Sequence, residues 1–245
     1  MIRIKRKLVG TKFVSINGRG KPLFATIDQK HNLKRLEAKI FGISLSSSQK
    51  IREEIIMRKI IVSEFYTLDG LMSDPEDKME WVLGSFNDEM GKYESDLYDS
   101  ADTLLLGRTT YKIFEGYWPT AASNPATSQG DIEMAHKINN MTKIVISHSM
   151  KGVEWENSRL LKEINPGEIA KIKQEKGKNI LVIGSASIVQ QLTNLGLIDE
   201  YHLLLHPVVL GNGKPLFKDI RQIHDLKLLE AKTFSNGVVM LRYSV

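Results

Sequence analysis

The chain has 245 residues, of which 42% are hydrophobic and 26% are charged, a balance typical of a globular protein. It contains no cysteine, which excludes disulfides and thiolate metal sites and favours a reducing, cytoplasmic setting. No apolar run approaches the roughly 20 residues that cross a bilayer, and the basic start MIRIKRKLVG lacks the apolar core of a signal peptide.

The net charge of +5 is unevenly distributed. Residues 1–56 hold 13 basic and 4 acidic side chains, whereas residues 57–245 hold 21 basic and 25 acidic ones. A strongly basic protein suggests a nucleic-acid or anionic-surface partner. Here that property belongs to the first segment, so we predict no nucleic-acid partner and no membrane for the rest of the chain.

The first segment repeats part of the last one. GKPLFATIDQKHNLKRLEAKIF, residues 20–41, aligns without a gap with GKPLFKDIRQIHDLKLLEAKTF, residues 213–234, and 15 of the 22 positions are identical. The second copy lies between strand-like runs, whereas the first breaks off at GISLSSSQK. Met57 then opens MRKIIVSEFYTLDG, which has the pattern of a natural first strand.

We therefore interpret residues 57–245 as a complete domain and residues 1–56 as a partial duplicate of its C-terminal end. A relic of tandem duplication is the favoured interpretation of this tail. A strand-adding tail at a sheet edge and a basic nucleic-acid-binding arm are the alternatives.

Strands and helices alternate along the predicted domain. Apolar runs predict strands, and runs of helical spacing between them predict helices. Three antiparallel strands close the chain, and this order indicates an α/β domain with a mixed sheet. The predicted strands are 59–65, 102–107, 143–147 and 179–183, and the predicted helices are 87–100, 109–117, 132–139, 167–176 and 188–195.

The first predicted strand ends in SEFYTLDG, followed by a loop that reaches Trp81. Loops at strand ends carry ligands in open α/β sheets, so Asp69 and Trp81 are candidates for a substrate pocket. Asp-Gly is also a strong turn pair, and Trp81 is equally compatible with simple core packing.

The second strand ends in LLLGRTTY, where Gly107 is followed by a helix with Thr109 or Thr110 as N-cap. Arg108 at this turn suits a phosphate, because its guanidinium forms two parallel hydrogen bonds. His148, just after the third strand, is a candidate for flanking a ligand.

The fourth strand runs through NILVIGSASIVQQL into another helix. Gly184 allows a sharp turn and a close approach of the backbone to a ligand, and the helix start offers free N–H groups for a phosphate. A plain strand-to-helix turn remains the alternative for this motif alone. Two such turns in one sheet favour a ligand with two phosphates, a dinucleotide.

The run HLLLH, residues 202–206, has histidines at the spacing that converges on a helix. Its flanks predict a strand instead, in which four residues span roughly 13 Å, too far for one metal ion. We predict no metal site.

These stretches together resemble the dihydrofolate reductase-like family, and most closely the reductase domain of the riboflavin-biosynthesis deaminase/reductase. The resemblance covers essentially all of residues 57–245 and is carried by SEFYTLDG, LLLGRTTY, the block ILVIGSASIVQQLTNLGLIDEYHLLLHPVVLGNGKPLF, and GVVMLRY. It implies a central mixed sheet of about eight strands with helices on both faces, and NADPH lying across the strand ends. It also implies a homodimer.

The resemblance assigns a role to each candidate residue. Asp69 and Trp81 would border the nicotinamide and substrate pocket as the catalytic candidates. The cofactor would be held on its adenosine side by Gly107, Arg108, Thr109, Thr110, Ser147, His148 and Ser149, and at its pyrophosphate by Gly184, Ser185, Ala186, Ser187 and Ile188.

The chain departs from this family at two points. The zinc deaminase domain of the bifunctional enzymes has cysteine ligands, and this chain has no cysteine, so we expect at most the reductase half to be present. It also lacks the Pro-Trp loop of conventional dihydrofolate reductases, and Asp77, Glu80 and Asp88 are only loose candidates for the carboxylate that binds a pterin.

The sequence thus predicts an NADPH-dependent reductase of a small pterin- or pyrimidine-like heterocycle. A non-catalytic nucleotide-binding or scaffolding protein of the same fold is the main alternative. A nucleic-acid binder acting through the basic tail is the third.

Overall fold

A computed structural model describes residues 6–9, 12–15 and 57–245. The chain divides into two compact units, Met1–Ile56 and Met57–Val245. In the first, β1 (Arg6–Val9) pairs antiparallel with β2 (Lys12–Ser15). The repeated segment, residues 20–41, lies outside the described residues, so its origin by duplication stays a prediction.

The second unit is built on a mixed sheet of eight strands, which confirms the predicted architecture. Its strands are β3 (Ile60–Thr67), β5 (Ala101–Gly107), β6 (Thr142–Ile146), β7 (Ser158–Leu161), β8 (Asn179–Val182), β9 (Glu200–His206), β11 (Lys227–Thr233) and β12 (Val239–Ser244). The strand order is β11-β12-β9-β3-β8-β5-β6-β7. Six neighbouring strands are parallel, from β9 to β7, whereas β12 runs antiparallel to β9 and β11 antiparallel to β12.

Helices cover both faces of this sheet, because side chains alternate along buried parallel strands and both faces are apolar. On β3, Ile60 and Val62 belong to one core cluster and Ile61 to the other. The first cluster is covered by α5 (Pro166–Gln174) and α6 (Ala186–Asn194). The second is covered by α2 (Asp88–Asp99), α3 (Arg108–Ala121) and α4 (Gln129–Asn140).

Two small elements complete the unit. The one-turn helix α1 (Glu80–Leu83) lies in the long connection after β3. The short strand β4 (Leu71–Ser73) pairs antiparallel with β10 (Lys214–Pro215) in a separate two-stranded sheet. None of the helices in residues 57–245 combines the length and hydropathy that a membrane crossing requires.

Two local predictions about α3 are wrong. The helix begins directly after Gly107, which occupies the N-cap position, rather than after a threonine. It also continues through Pro119 to Ala121, where a loop is predicted. Its aromatic side chains explain the extension, since Tyr111, Phe114 and Trp118 pack against the sheet and hold the last turn in place.

Candidate functional site

The ends of β5 and β8 meet at a pair of glycines. β5 and β8 are parallel neighbours, so the chain leaves both strands at the same edge of the sheet. The N–H of Gly107 donates to the carbonyl oxygen of Gly184 over 3.3 Å. A Cβ atom at Gly107 would collide with the Ser185 hydroxyl, and one at Gly184 would lie 2.5 Å from Thr110 Oγ1. A side chain at either position would force the hydroxyl group of Ser185 or Thr110 to move, so glycine lets the two turns pack closely against each other.

Gly184 also has a positive φ of 56°. This left-handed conformation is costly for residues with a side chain. The positive φ turns the chain sharply from β8 into α6, so the helix starts next to the first turn of α3.

Both helices that start here lack a side-chain cap. Neither Gly107 at α3 nor Ser185 at α6 caps its helix with a side-chain hydrogen bond. The other helices of nine or more residues in 57–245 are capped by Asn87, Ser128 and Asn165. The first N–H groups of a helix have no partner within it, so α3 and α6 present two adjacent sets of donors at their positive dipole ends.

Side chains from the next strand end add to this donor surface. Arg108 Nη1 lies 3.4 Å from Ser149 Oγ, and Ser149 Oγ lies 3.4 Å from Ser147 Oγ. Ser147 is anchored by its N–H, which donates to the Leu161 carbonyl over 2.9 Å. An open depression of about 530 Å³ lies beside Arg108 and is also lined by Thr109, Lys112 and Ile113.

The predicted cofactor residues thus fall into two adjoining groups. One contains Gly107, Thr110 and the segment 184–188, with Ile188 also close to Gly107. The other contains Arg108 and the segment 147–149, in which His148 is exposed. Their roles toward a cofactor stay predictions.

Asp69 is exposed at the turn after β3, but its carboxylate is already occupied. It accepts hydrogen bonds from Thr67 Oγ1 (2.5 Å) and from the N–H groups of Gly211 (2.7 Å) and Leu210 (3.2 Å). The Thr67 hydroxyl and the Gly211 amide hold the pKa of Asp69 at about 2. It is therefore ionised at neutral pH and ties the β3 turn to the loop after β9.

Trp81 lies in α1 and packs against His206. The sequence had suggested only a metal-ligand role for His206, from its spacing to His202, and that role was not favoured. The rings of Trp81 and His206 are 5.0 Å apart and almost perpendicular. His206 is fully buried at the end of β9, and its Nδ1 lies 2.8 Å from Ser85 Oγ. Burial lowers the pKa of His206 to about 4, so its ring is neutral at pH 7.

The structure also reveals two buried carboxyl groups that the sequence reasoning missed. Glu64 lies in β3 and is 5% exposed; Glu94 lies in α2 and is 8% exposed. Burial raises the pKa of Glu64 to about 8 and that of Glu94 to about 7. The signal for Glu64 was a charged residue inside an apolar strand pattern. The helical spacing of residues 87–100 predicts that their acidic side chains lie on the exposed face. Asp88, Glu89, Asp96 and Asp99 do so, whereas Glu94 is buried, and for Glu94 the prediction is wrong.

The loose pterin-carboxylate candidates lie elsewhere. Asp77 and Asp88 are exposed, and so is Glu80 at the start of α1. Asp77 forms an ion pair with Lys214. The carboxyl groups buried behind the site are instead Glu64 and Glu94.

Comparison of the sequence with known proteins identifies the family of this chain. Residues 58–240 match the model of the RibD C-terminal domain. The uncharacterized Bacillus subtilis proteins YyaP and YwjB are 34% and 29% identical to the chain over 190 and 181 residues. These alignments cover 76% and 74% of this chain and 94% and 95% of the relatives.

Solved structures share the fold at lower identity. A putative riboflavin biosynthesis protein from Shewanella sp. PV-4 is 22% identical with a TM-score of 0.60, covering 76% of this chain and 98% of its own. The diaminohydroxyphosphoribosylaminopyrimidine deaminase/5-amino-6-(5-phosphoribosylamino)uracil reductase of Thermotoga maritima is 15% identical with a TM-score of 0.53. The match covers 88% of this chain and 62% of that bifunctional protein. The family match over most of residues 57–245 confirms the resemblance, and the chain belongs to the RibD C-terminal domain family.

Proposed function

We propose that this protein is an NADPH-dependent reductase of a small pterin- or pyrimidine-like heterocycle. Membership of a family named for a riboflavin-biosynthesis protein supports a reductase-type role. The observation that carries the proposal is the junction of β5 and β8, where two uncapped helix N-termini lie side by side around Gly107 and Gly184.

The residues at this junction fit a dinucleotide. Free N–H groups at a helix start bind phosphate oxygens, and glycines let the backbone come close to them. Residues 184–188 would hold the pyrophosphate, and Gly107, Arg108, Thr109 and Thr110 the adenosine-side phosphates. Arg108, with Ser147, His148 and Ser149, would favour NADPH over NADH, because a guanidinium binds a 2′-phosphate in two parallel hydrogen bonds.

The chain's own side chains would then shape the place of reaction. When bound, the cofactor would supply a hydride, and the protein would orient it and exclude water. Asp69 lies in the turn after β3 and would border the substrate by fixing the loop around residues 210–211. Trp81 lies in α1 beside His206 and would border the substrate from there.

The first experiment is a titration of the full chain with NADPH and NADH, followed by nucleotide fluorescence. We expect NADPH to bind more tightly, and a panel of pterins and aminopyrimidines to include a compound that oxidises it. Absence of NADPH binding would contradict the proposed reductase function. Binding without turnover across the panel would favour the non-catalytic nucleotide-binding alternative.

We propose further that the enzyme acts as a homodimer. The outer strand β11 is exposed along its whole length, and Leu228 and Leu229 on it are 51% and 42% exposed. An uncovered edge strand with apolar side chains promotes association. Light scattering is expected to give twice the chain mass, and Leu228→Lys is expected to lower it.

For residues 1–56 we propose a partial duplicate that takes no part in the reaction. The family match begins at residue 58, and the curated relatives are covered almost fully by about three quarters of this chain. Comparing NADPH affinity in the full chain and in residues 57–245 tests this. Equal affinity supports the proposal, and weaker binding by the fragment contradicts it.

A further inference from the structure

Glu64 lies where two parallel strands separate. The register of β3 with β8 ends at Val62 and Val182, whereas β3 continues beside β9 as far as Thr67. The Glu64 side chain reaches across to the chain that leaves β8, and its Oε1 accepts the Gly184 N–H over 2.7 Å in a buried hydrogen bond. A carboxyl oxygen thus takes the place that a backbone carbonyl has in the ladder.

The Gly184 residue is held from two strands. Its N–H is bound by Glu64 on β3, and its carbonyl oxygen accepts the Gly107 N–H from the end of β5. Between these two bonds the backbone has the positive φ of 56° that turns the chain into α6. A buried amide that loses its acceptor is strongly disfavoured, so Glu64 stabilises this conformation of the turn.

The start of α6 depends on that turn. The helix ladder begins with the Ile188 N–H, which donates to the Ser185 carbonyl over 2.9 Å. The N–H groups just ahead of Ile188 have no partner within the helix. In the proposed function they are the donors for the pyrophosphate. Their direction follows from the conformation of Gly184, and therefore from its bond to Glu64.

The carboxyl group lies in apolar surroundings. It is on the same face of β3 as Ile60 and Val62, which belong to the first core cluster. Burial raises the pKa of Glu64 to about 8, opposed by the Gly184 amide and reinforced by the carboxyl of Glu94. β8 and α6 carry no titratable side chain. The titratable groups nearest to it on α2 and β9 are Glu94, Tyr98, Tyr201 and His202.

We propose that Glu64 is a positioning residue for the cofactor: its carboxyl group fixes the Gly184 amide and thereby aims the free N–H groups at the start of α6 toward the pyrophosphate. The inference rests on the proposed reductase function. Glu64 acts through the backbone of Gly184 and takes no part in hydride or proton transfer.

Ionisation of Glu64 gives this role a signature. A carboxyl oxygen accepts the Gly184 N–H in either state, but an ionised Glu64 adds a negative charge behind the turn that receives the negative pyrophosphate. Buried charges are weakly screened, so this charge is expected to weaken cofactor binding. NADPH and NADH both carry a pyrophosphate. The affinity for both is expected to fall about tenfold from pH 7 to pH 9, as Glu64 ionises through its pKa of about 8.

Two variants separate the acceptor from the charge in fluorescence titrations of the full chain. Glu64→Gln keeps an oxygen for the Gly184 amide and cannot ionise. Its NADPH affinity is expected to stay within about twofold of the wild type at pH 7 and to remain constant up to pH 9. Glu64→Met has a side chain of similar length without an acceptor. It is expected to bind NADPH about tenfold more weakly at pH 7, because the Gly184 amide loses its partner.

Two control variants test whether another group causes the fall in affinity. Glu94→Gln removes the neighbouring carboxyl and leaves the bond to Gly184 in place. It is expected to bind NADPH like the wild type at pH 6 and to move the fall to lower pH, because Glu94 helps raise the pKa of Glu64. Burial lowers the pKa of Lys143 to about 8, in the same range. Lys143→Met is expected to leave the fall unchanged, because Lys143 packs against Trp155 on β6.

Calorimetry detects the proton itself, which a merely structural role of Glu64 would not move. NADPH is titrated into the full chain at pH 8 in buffers of different ionisation enthalpy. The wild type is expected to take up about half a proton for each NADPH bound, and Glu64→Gln none.

The outcomes are distinguishable from a failure of the reductase proposal. Glu64→Met that binds NADPH as tightly as the wild type would overturn the role of Glu64. Glu64→Gln with the pH dependence and proton uptake of the wild type would also overturn it, and this arm decides the question if Glu64→Met does not fold. Both results leave the reductase proposal intact. A wild type that binds neither NADPH nor NADH between pH 6 and pH 9 would overturn that proposal, and the role of Glu64 with it.

Discussion

Two buried glutamates on neighbouring strands of this domain have pKa values that are shifted in opposite directions. Glu64 on β3 is 5% exposed and Glu200 on β9 is 4% exposed. Burial pushes the pKa of both upward, yet that of Glu64 rises to about 8 whereas that of Glu200 falls to about 2. The difference lies in their partners and not in their depth.

Glu200 lies at the start of β9 among positive groups. Lys59 Nζ donates to it over 2.5 Å and Arg242 Nε over 2.9 Å, and His202 Nε2 lies 3.3 Å away. Glu64 has a single neutral donor, the Gly184 amide. A buried carboxylate with cationic partners, such as Glu200, is stabilised by its ion pairs, whereas a buried carboxyl group without them, such as Glu64, is a candidate for a functional role.

Removing the cations around Glu200 tests this contrast most strongly. Lys59→Met with Arg242→Met leaves a buried carboxylate without its main partners and is expected to cost about 4 kcal/mol of unfolding free energy at pH 7. In the wild type the pKa of Glu200 is depressed, so its contribution is present above about pH 4.5 and is lost as pH falls toward 2. Urea denaturation at pH 7 measures the loss of unfolding free energy in the double variant, and the same experiment at pH 3 measures how much of the Glu200 contribution is lost on acidification.

Lys92→Met is the matched control, because its ion pair with Asp96 on α2 is exposed on both sides. Its effect should stay within about 0.5 kcal/mol. A double variant as stable as this control would show that Glu200 does not depend on its cations.

Glu64→Gln is expected to act in the other direction on stability. Because the pKa of Glu64 is raised from 4.5 to about 8, the folded state holds a proton that the unfolded chain releases between those values. Stability is therefore lost as pH rises through this window, by about 3 kcal/mol at pH 7, and the glutamine variant avoids that loss.

Urea denaturation from pH 4 to pH 9 checks this expectation. The variant and the wild type should coincide near pH 4 and diverge above it. A variant that is less stable than the wild type throughout the range would mean that the Glu64 carboxyl is needed for packing.

The glycine at the site can be compared with one of the same conformation elsewhere. Gly184→Ala adds a Cβ atom 2.5 Å from Thr110 Oγ1 at a φ of 56°, and is expected to weaken NADPH binding about tenfold or more. Gly196 has a φ of 63° with no atom within 4 Å of its Cβ position.

Gly196→Ala is therefore expected to carry the same backbone strain and leave NADPH affinity unchanged. Fluorescence titration with NADPH compares the affinities of Gly184→Ala and Gly196→Ala. Equal losses of affinity would reduce the role of Gly184 to general stability.

The smallest effect is expected at Arg108. Arg108→Met is expected to weaken NADPH binding by about 1 kcal/mol, roughly fivefold, with NADH binding unchanged, because only the 2′-phosphate needs the guanidinium. Lys92→Met on α2 is the control, because Lys92 pairs with Asp96 and does not line the depression beside Arg108. An equal loss for NADPH and NADH would remove Arg108 from the choice of cofactor.

The sequence by itself determined the local elements and the family. Apolar runs that end in Gly107 and near Gly184 predicted β5 and β8, since buried parallel strands need apolar side chains on both faces. The motifs at their ends sufficed for the resemblance that the family match over residues 58–240 confirms. The sequence predicted that α3 ends before Pro119, but the helix continues to Ala121, because its aromatic side chains pack on the core and offset the local cost of proline.

Only the tertiary structure decided the partners of the charged residues. The strand order places β3 between β9 and β8, although β8 and β9 lie more than a hundred residues later in the chain. Glu64 consequently meets Gly184, and Lys59 meets Glu200, across separations that no local pattern encodes. The pKa of a carboxyl group depends on the charges and donors within a few ångströms, and these are set by which strands become neighbours.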